Sequence, residues 1–321
     1  MLLATVAGLI VAIWTFGAAG FADIVAVARR IGVGGFVLFC AWSLGTFFLL
    51  GAAWLAAAPG ERAARVGLFA WARMVREAVS DLLPFSQLGG IVVAARSLSV
   101  AGVPMPRVYG SLVVDLTTEM AAQLVYTLFG LALIASLLIG DGVAVSLRPA
   151  ILGGTAIMIA IILFFFVAQR SALDLTGRIA ERFIPGSQVA LDDIRAELAR
   201  IYTRRGRVAI AFGFNLAAWV ASGVGGWLVL RLMGVPISLW DALSLESLIF
   251  TLRSVAFFIP GALGVQEVAY ALAAPLFGLP PETALALSLA KRARDVAIGL
   301  PTLVCWQLVE ARRVTIRPGQ V

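Results

Sequence analysis

Apolar residues run along this chain in blocks of roughly 20, the length a helix needs to cross a bilayer core. Six blocks qualify: 2–22, 33–58, 108–139, 150–167, 208–232 and 283–309. The first lacks a basic leader and is followed by Arg29-Arg30, so it reads as a span rather than a cleaved signal peptide. Two further regions, 62–101 and 238–277, are apolar but interrupted. Each carries a proline near its middle, Pro84 or Pro260, with glycines close behind. The pattern predicts an all-α integral membrane protein: one transmembrane domain over 1–321, a polytopic helical bundle with two broken or re-entrant elements.

The one sizeable polar segment is 170–207. It holds eight arginines (170, 178, 182, 195, 200, 204, 205 and 207), with helically spaced Leu191, Ile194, Leu198 and Ile201. It reads as a cytoplasmic amphipathic hairpin lying as a solvated linker on anionic headgroups. With that loop inside, re-entrant broken regions put more arginines on its side than spanning ones, so re-entry is favoured, against the weak point of Arg29-Arg30 outside.

Composition agrees. Of 321 residues 61% are apolar and 13% charged, with mean hydropathy +0.99, whereas a soluble domain is about half apolar and a quarter charged. The formal net charge is +7, which on a membrane protein marks the cytoplasmic face and not a nucleic-acid partner. There is no histidine, which removes histidine zinc sites, Ser-His-Asp triads and histidine proton relays. Cys40 and Cys305 sit in apolar runs, so no disulfide framework or metal site is expected. No aspartate-rich magnesium motif lies in a span and no Walker motif occurs, so neither an enzyme nor a bound cofactor is expected.

The broken regions repeat. Pro84 is followed by Gly102-Val-Pro104 and Pro260 by Gly278-Leu-Pro280, each at an offset of 176. The same offset aligns Asp115 with Lys291 and Glu119 with Asp295. This reads as a duplication with halves of about 33–139 and 208–309. An odd number of crossings between equivalent points makes it an inverted repeat, an organisation of many transporters.

Charges inside apolar helices mark the candidate site, because each is costly to insert without an internal partner. Asp115, Glu119 and Gln123 share one helix face, and Lys291, Arg292, Arg294 and Asp295 lie on the equivalent helix. The symmetry suggests that Asp115 meets Lys291, and Glu119 meets Arg294 or Arg292. The second candidate is the pair of breaks, with Pro84, Ser86, Gln87, Gly89 and Gly90 in one and Pro260, Gly261, Gly264, Gln266 and Glu267 in the other. Free amides at a helix start there would favour an anionic group; the plainer reading is a proline kink with glycines for close packing. Arg73, Arg76, Glu77 and Asp81 form a charged stripe that suits an interfacial helix. Glu246 and Arg253 are a local pair of little weight.

Three stretches resemble a known family: Phe-Phe-Ile-Pro-Gly-Ala-Leu-Gly-Val-Gln-Glu at 257–267, Phe-Gly-Leu-Pro at 277–280, and Leu-Ser-Leu-Ala-Lys-Arg-Ala-Arg at 287–294. Together with Leu-Leu-Pro-Phe-Ser-Gln-Leu-Gly-Gly at 82–90 and Val-Val-Asp-Leu-Thr-Thr-Glu at 113–119, they resemble the lysylphosphatidylglycerol-synthase transmembrane, or flippase-like, family. Within it the likeness is to the hopanoid-biosynthesis-associated membrane protein L branch. The resemblance implies a multi-pass protein of the bacterial inner membrane that moves or handles a membrane lipid, a hopanoid or a phospholipid, with lipid-biosynthesis proteins as further partners. The alternative it leaves is a non-transporting accessory or scaffold subunit of such machinery.

Overall fold

A computed structural model of the protein describes residues 2–83, 86–137, 187–255 and 259–316, with Ala156 and Ala160 as single helical positions. Among these residues all regular structure is helical: α1 (Leu2–Ala18), α2 (Phe21–Arg29), α3 (Gly32–Ala57), α4 (Val66–Leu82), α5 (Ser86–Val100), α6 (Met105–Leu137), α7 (Ser187–Thr203), α8 (Arg205–Leu232), α9 (Leu239–Val255), α10 (Val265–Ala273) and α11 (Pro281–Ile316). Apart from Ala156 and Ala160, the predicted span at 150–167 lies outside the described residues, as does the first part of the polar segment, 170–186.

Three helices are long and apolar enough to cross a membrane: Gly32–Ala57, Met105–Leu133 and Arg205–Leu232. The first predicted span is not one straight helix. It breaks at Gly20, where φ is 83°, and α2 leaves α1 at 84°. Counted together, the bent pair would be a fourth span. The last predicted span falls within α11, whose 36 residues reach about 54 Å at 1.5 Å per residue, well beyond a hydrocarbon core of roughly 30 Å.

The most extensive helix pairing is the antiparallel pair α3/α8. Arg207 donates to the Leu55 and Ala56 carbonyls at one end of α3, Trp42 donates to the Ala221 carbonyl midway, and Gly35 meets Leu232 at the far end. The two helices therefore point in opposite directions. Gly51 lets α4 against α3: a Cβ there would stand 2.4 Å from the Ala70 nitrogen.

Each broken region folds back on itself. α4 and α5 pack side by side, and α6 restarts beside the end of α3, where Arg107 bonds Glu61 at 2.8 Å. On the other side α9 follows α8, and the turn Ala274–Phe277 returns to pack on both α9 and α11. Because α3 and α8 are antiparallel, the two hairpins enter the bundle from opposite ends. Their tips meet inside: a Cβ on Gly261 would lie 3.1 Å from the Asp81 carbonyl oxygen. Shifting α3, α4, α5 and α6 by 176 lands within three residues of the starts of α8, α9, α10 and α11. The packing is reciprocal too, α4 on α11 and α9 on α6.

The polar segment is more than a solvated linker. Its described part, α7, packs on α6 and α8 and buries Leu198 and Ile201 in a small core with Val114 and Ala211. Its Glu197 is buried too, facing Arg107 at 3.6 Å and Arg200 at 2.9 Å. The predicted apolar spacing is real, but its partner is protein.

Candidate functional site: buried ion pairs around two hairpin tips

The apolar helices carry their charges inward. α4 is amphipathic in sequence, and its polar stripe turns into the bundle rather than towards an interface. Arg73 is 1% and Arg76 6% exposed. Arg73 donates to Asp115 at 3.1 Å and forks onto Glu119 at 2.9 and 2.7 Å, and Arg76 adds a bond to Glu119 at 3.0 Å. A guanidinium fork matched to a carboxylate is the strong form of this contact. From α8, Asn215 donates to Thr118 at 3.0 Å and to Asp115 at 3.4 Å, and Trp219 donates to the Glu119 carbonyl at 3.3 Å.

Lys291 is not the partner of Asp115. It forms a buried salt bridge with Glu246 of α9, whose carboxylate also accepts from the Tyr270 hydroxyl at 2.8 Å. The rings of Phe250 and Tyr270 lie 5.0 and 5.5 Å from its ammonium. Nor does Glu119 meet Arg294 or Arg292. These two clusters are each neutralised locally, with the signs exchanged: the cation sits on α4 opposite α6 in one and on α11 opposite α9 in the other. Positions of equal register across the halves do not meet, because α4 and α9 already supply the counter-charges.

The second hairpin tip is held by its own side chains. Gly261, Ala262 and Gly264 have φ of 58°, 47° and 80°, a run that costs least in glycine and is strained at Ala262. Arg292 donates to the Gly261 carbonyl at 2.7 Å and to Glu267 at 3.1 Å. Glu267 in turn accepts from the Gly264 amide at 2.9 Å and from Ser288 at 3.2 Å. At this helix start the N-cap amide, that of Gly264, is thus held by an internal carboxylate. Gln266 is buried between Arg253, which donates to it at 2.8 Å, and Ser288, to which it donates at 2.7 Å.

In the first hairpin Pro84 lies outside the described residues, as do the side chains of Ser86 and Gln87. Gly89 is half-buried. Gly90 serves close packing: a Cβ there would stand 2.4 Å from the Arg76 carbonyl oxygen. Gln123 donates to the Phe250 carbonyl at 3.2 Å and so ties α6 to α9. Arg294 bonds its neighbour Asp295 through two nitrogens, at 3.0 and 2.5 Å, and stacks on Phe39 with its guanidinium 5.4 Å from the ring centre.

The structure thus joins Asp115 to Glu119, and Gln266, Glu267 and Arg292 to one another. It adds Arg73, Arg76, Glu246, Arg253, Asn215, Tyr270 and Ser288, which sequence reasoning set aside or missed. The available signal was charge balance: acids on apolar helices need cations, and the α4 stripe was the nearest supply. Among the described residues no group of acids and cysteines is placed to hold a metal ion.

No curated protein and no solved structure matches the chain. A family described as the lysylphosphatidylglycerol synthase TM region matches residues 1–301. Nearly the whole chain is covered, helix bundle, hairpin tips and buried ion pairs included, and the protein therefore belongs to that family of lipid-related membrane proteins.

Proposed function

We propose that the protein is a lipid transporter of the flippase type and not an enzyme. One observation carries this reading: two broken hairpins enter from opposite ends of the bundle and touch tip to tip between Asp81 and Gly261. Irregular backbone inside a membrane is tolerated where it is buried in protein or lines a wet cavity, and transporters with inverted repeats bind cargo where such breaks meet. The matched element boundaries of the two halves support a duplication of that kind.

In this reading the polar end of the lipid moves along the seam between the tips. Arg292 and Glu267 hold one side of the seam, and the Asp115–Glu119 and Lys291 clusters flank it. The resemblance of 257–267 and 287–294 favours a hopanoid or a related lipid of the bacterial inner membrane as cargo, with the 170–207 segment on the cytoplasmic side.

The test is reconstitution in liposomes with labelled hopanoids and labelled phospholipids. Protein-dependent transfer between leaflets is expected, with loss on Glu267→Ala and on Lys291→Ala. Unchanged transfer in both variants would remove the site assignment. If no lipid moves, the protein is an accessory or scaffold subunit.

A further inference from the structure

A crevice opens where α4 passes α11 under α3, walled by Phe47, Met74 and Ile298 and holding three carboxylates, Glu77, Asp81 and Asp295. Asp295 is the informative one. Both donors from Arg294 go to its Oδ1. Its Oδ2 has no hydrogen-bond donor among the described residues, although the side chain is only 9% exposed. Asp81 repeats the situation: its Oδ1 also lacks a donor, and the nearest cation, Arg253, stays 3.5 Å away.

The surrounding charges do not fill these gaps. On α10, Glu267 is occupied by Arg292. Arg253 of α9 is engaged by Gln266. Glu77, on α4, faces Arg73 at 3.5 Å and Arg76 at 3.9 Å. From α3 the crevice receives no charge, only the Phe47 ring. An ionised carboxylate is an acceptor only, so two of them facing one crevice cannot satisfy each other. One proton changes that. A protonated carboxyl can donate through its O–H, and the like-charge repulsion falls. A metal ion is a poorer occupant, since no suitable ligand group is found among the described residues.

We propose that Asp295, together with Asp81, forms a proton-binding site. One proton from the aqueous side adds to an orphan carboxylate oxygen, giving a neutral carboxyl, and leaves again as a proton. No other bond changes.

The experiment is infrared difference spectroscopy of the purified protein between acidic and alkaline buffer, in dodecyl maltoside, which has no carbonyl of its own. A protonated-carboxyl stretch should appear on acidification and shift in heavy water. Asp295→Asn and Asp81→Asn should each remove the band or move its frequency, and Glu310→Gln should leave it intact. Asp295→Glu keeps the carboxyl, so its band should persist at a displaced frequency; it carries the test if the asparagine variant does not fold. The proposal is overturned if the band is the same in all variants, or if sodium chloride in place of choline chloride removes it at constant pH. No lipid movement enters the measurement, so its outcome is independent of the transport assay.

Discussion

Arg73 grips Glu119 through two parallel bonds of 2.9 and 2.7 Å, and the same guanidinium reaches Asp115 at 3.1 Å. Three charges and a helix–helix contact depend on one side chain that is almost wholly buried. Removing one partner of a buried pair costs about 3–5 kcal/mol, because it strands the other. Arg73→Ala should lower stability by an amount in that range, read as thermal unfolding in detergent. Arg73→Lys keeps the charge but loses the fork, so its melting temperature should fall between the two. A lysine variant as stable as the wild type would contradict the bidentate contact.

The Lys291–Glu246 pair makes a different prediction. Lys291→Met strands Glu246, and Glu246→Gln strands Lys291, so each single change should destabilise. The double variant should recover part of the loss, with a coupling of about 0.5–3 kcal/mol for residues in contact. Lys291→Met combined with Asp115→Asn should be close to additive, since these two residues belong to separate clusters. A double-mutant cycle on unfolding free energies distinguishes the two outcomes.

Glycines give a test of packing. At Gly51 and Gly90 an added Cβ would come within 2.4 Å of neighbouring backbone. Gly51→Ala and Gly90→Ala should each lose about 1–3 kcal/mol through overpacking. Gly213 is helical with open space around its Cβ. Gly213→Ala should gain up to about 1 kcal/mol from helix propensity. The sign difference is visible in melting temperatures.

Glu267 caps α10 and anchors Arg292. Glu267→Ala should loosen the turn Pro260–Ala262 while the α3/α8 pair stays firm. Amide hydrogen exchange should therefore accelerate by at least tenfold around 261–266, which corresponds to about 1.4 kcal/mol of local opening, and stay unchanged in 40–50.

Much of this architecture could be read from the chain. The three helices that satisfy the length and hydropathy requirement coincide with predicted blocks, because a bilayer imposes a strong one-dimensional pattern. The broken hairpins announced themselves by Pro84 and Pro260. What stayed hidden was pairing. Arg73 and Arg76 have the spacing of a surface stripe, and nothing local tells a stripe that faces water from one that faces two acids on another helix. Glu246 looked like a local partner of Arg253 until α11 brought Lys291 beside it. The bend at Gly20 was likewise masked, since apolar content continues through it while glycine alone marks the turn.

The division of charges between the halves has a mechanical consequence. In the middle of the bundle the short ion pairs close within one half: Arg73 with Glu119, Glu246 with Lys291, Arg292 with Glu267. The bonds that cross from one half to the other there come mainly from neutral donors, such as Tyr126 to Leu243, Gln123 to Phe250 and Thr127 with Thr251. Each such bond is worth about 1 kcal/mol net and can be exchanged for a neighbouring carbonyl. The contacts between the two parts are therefore mostly weak and exchangeable, with Arg253 beside Asp81 at 3.5 Å as the charged exception.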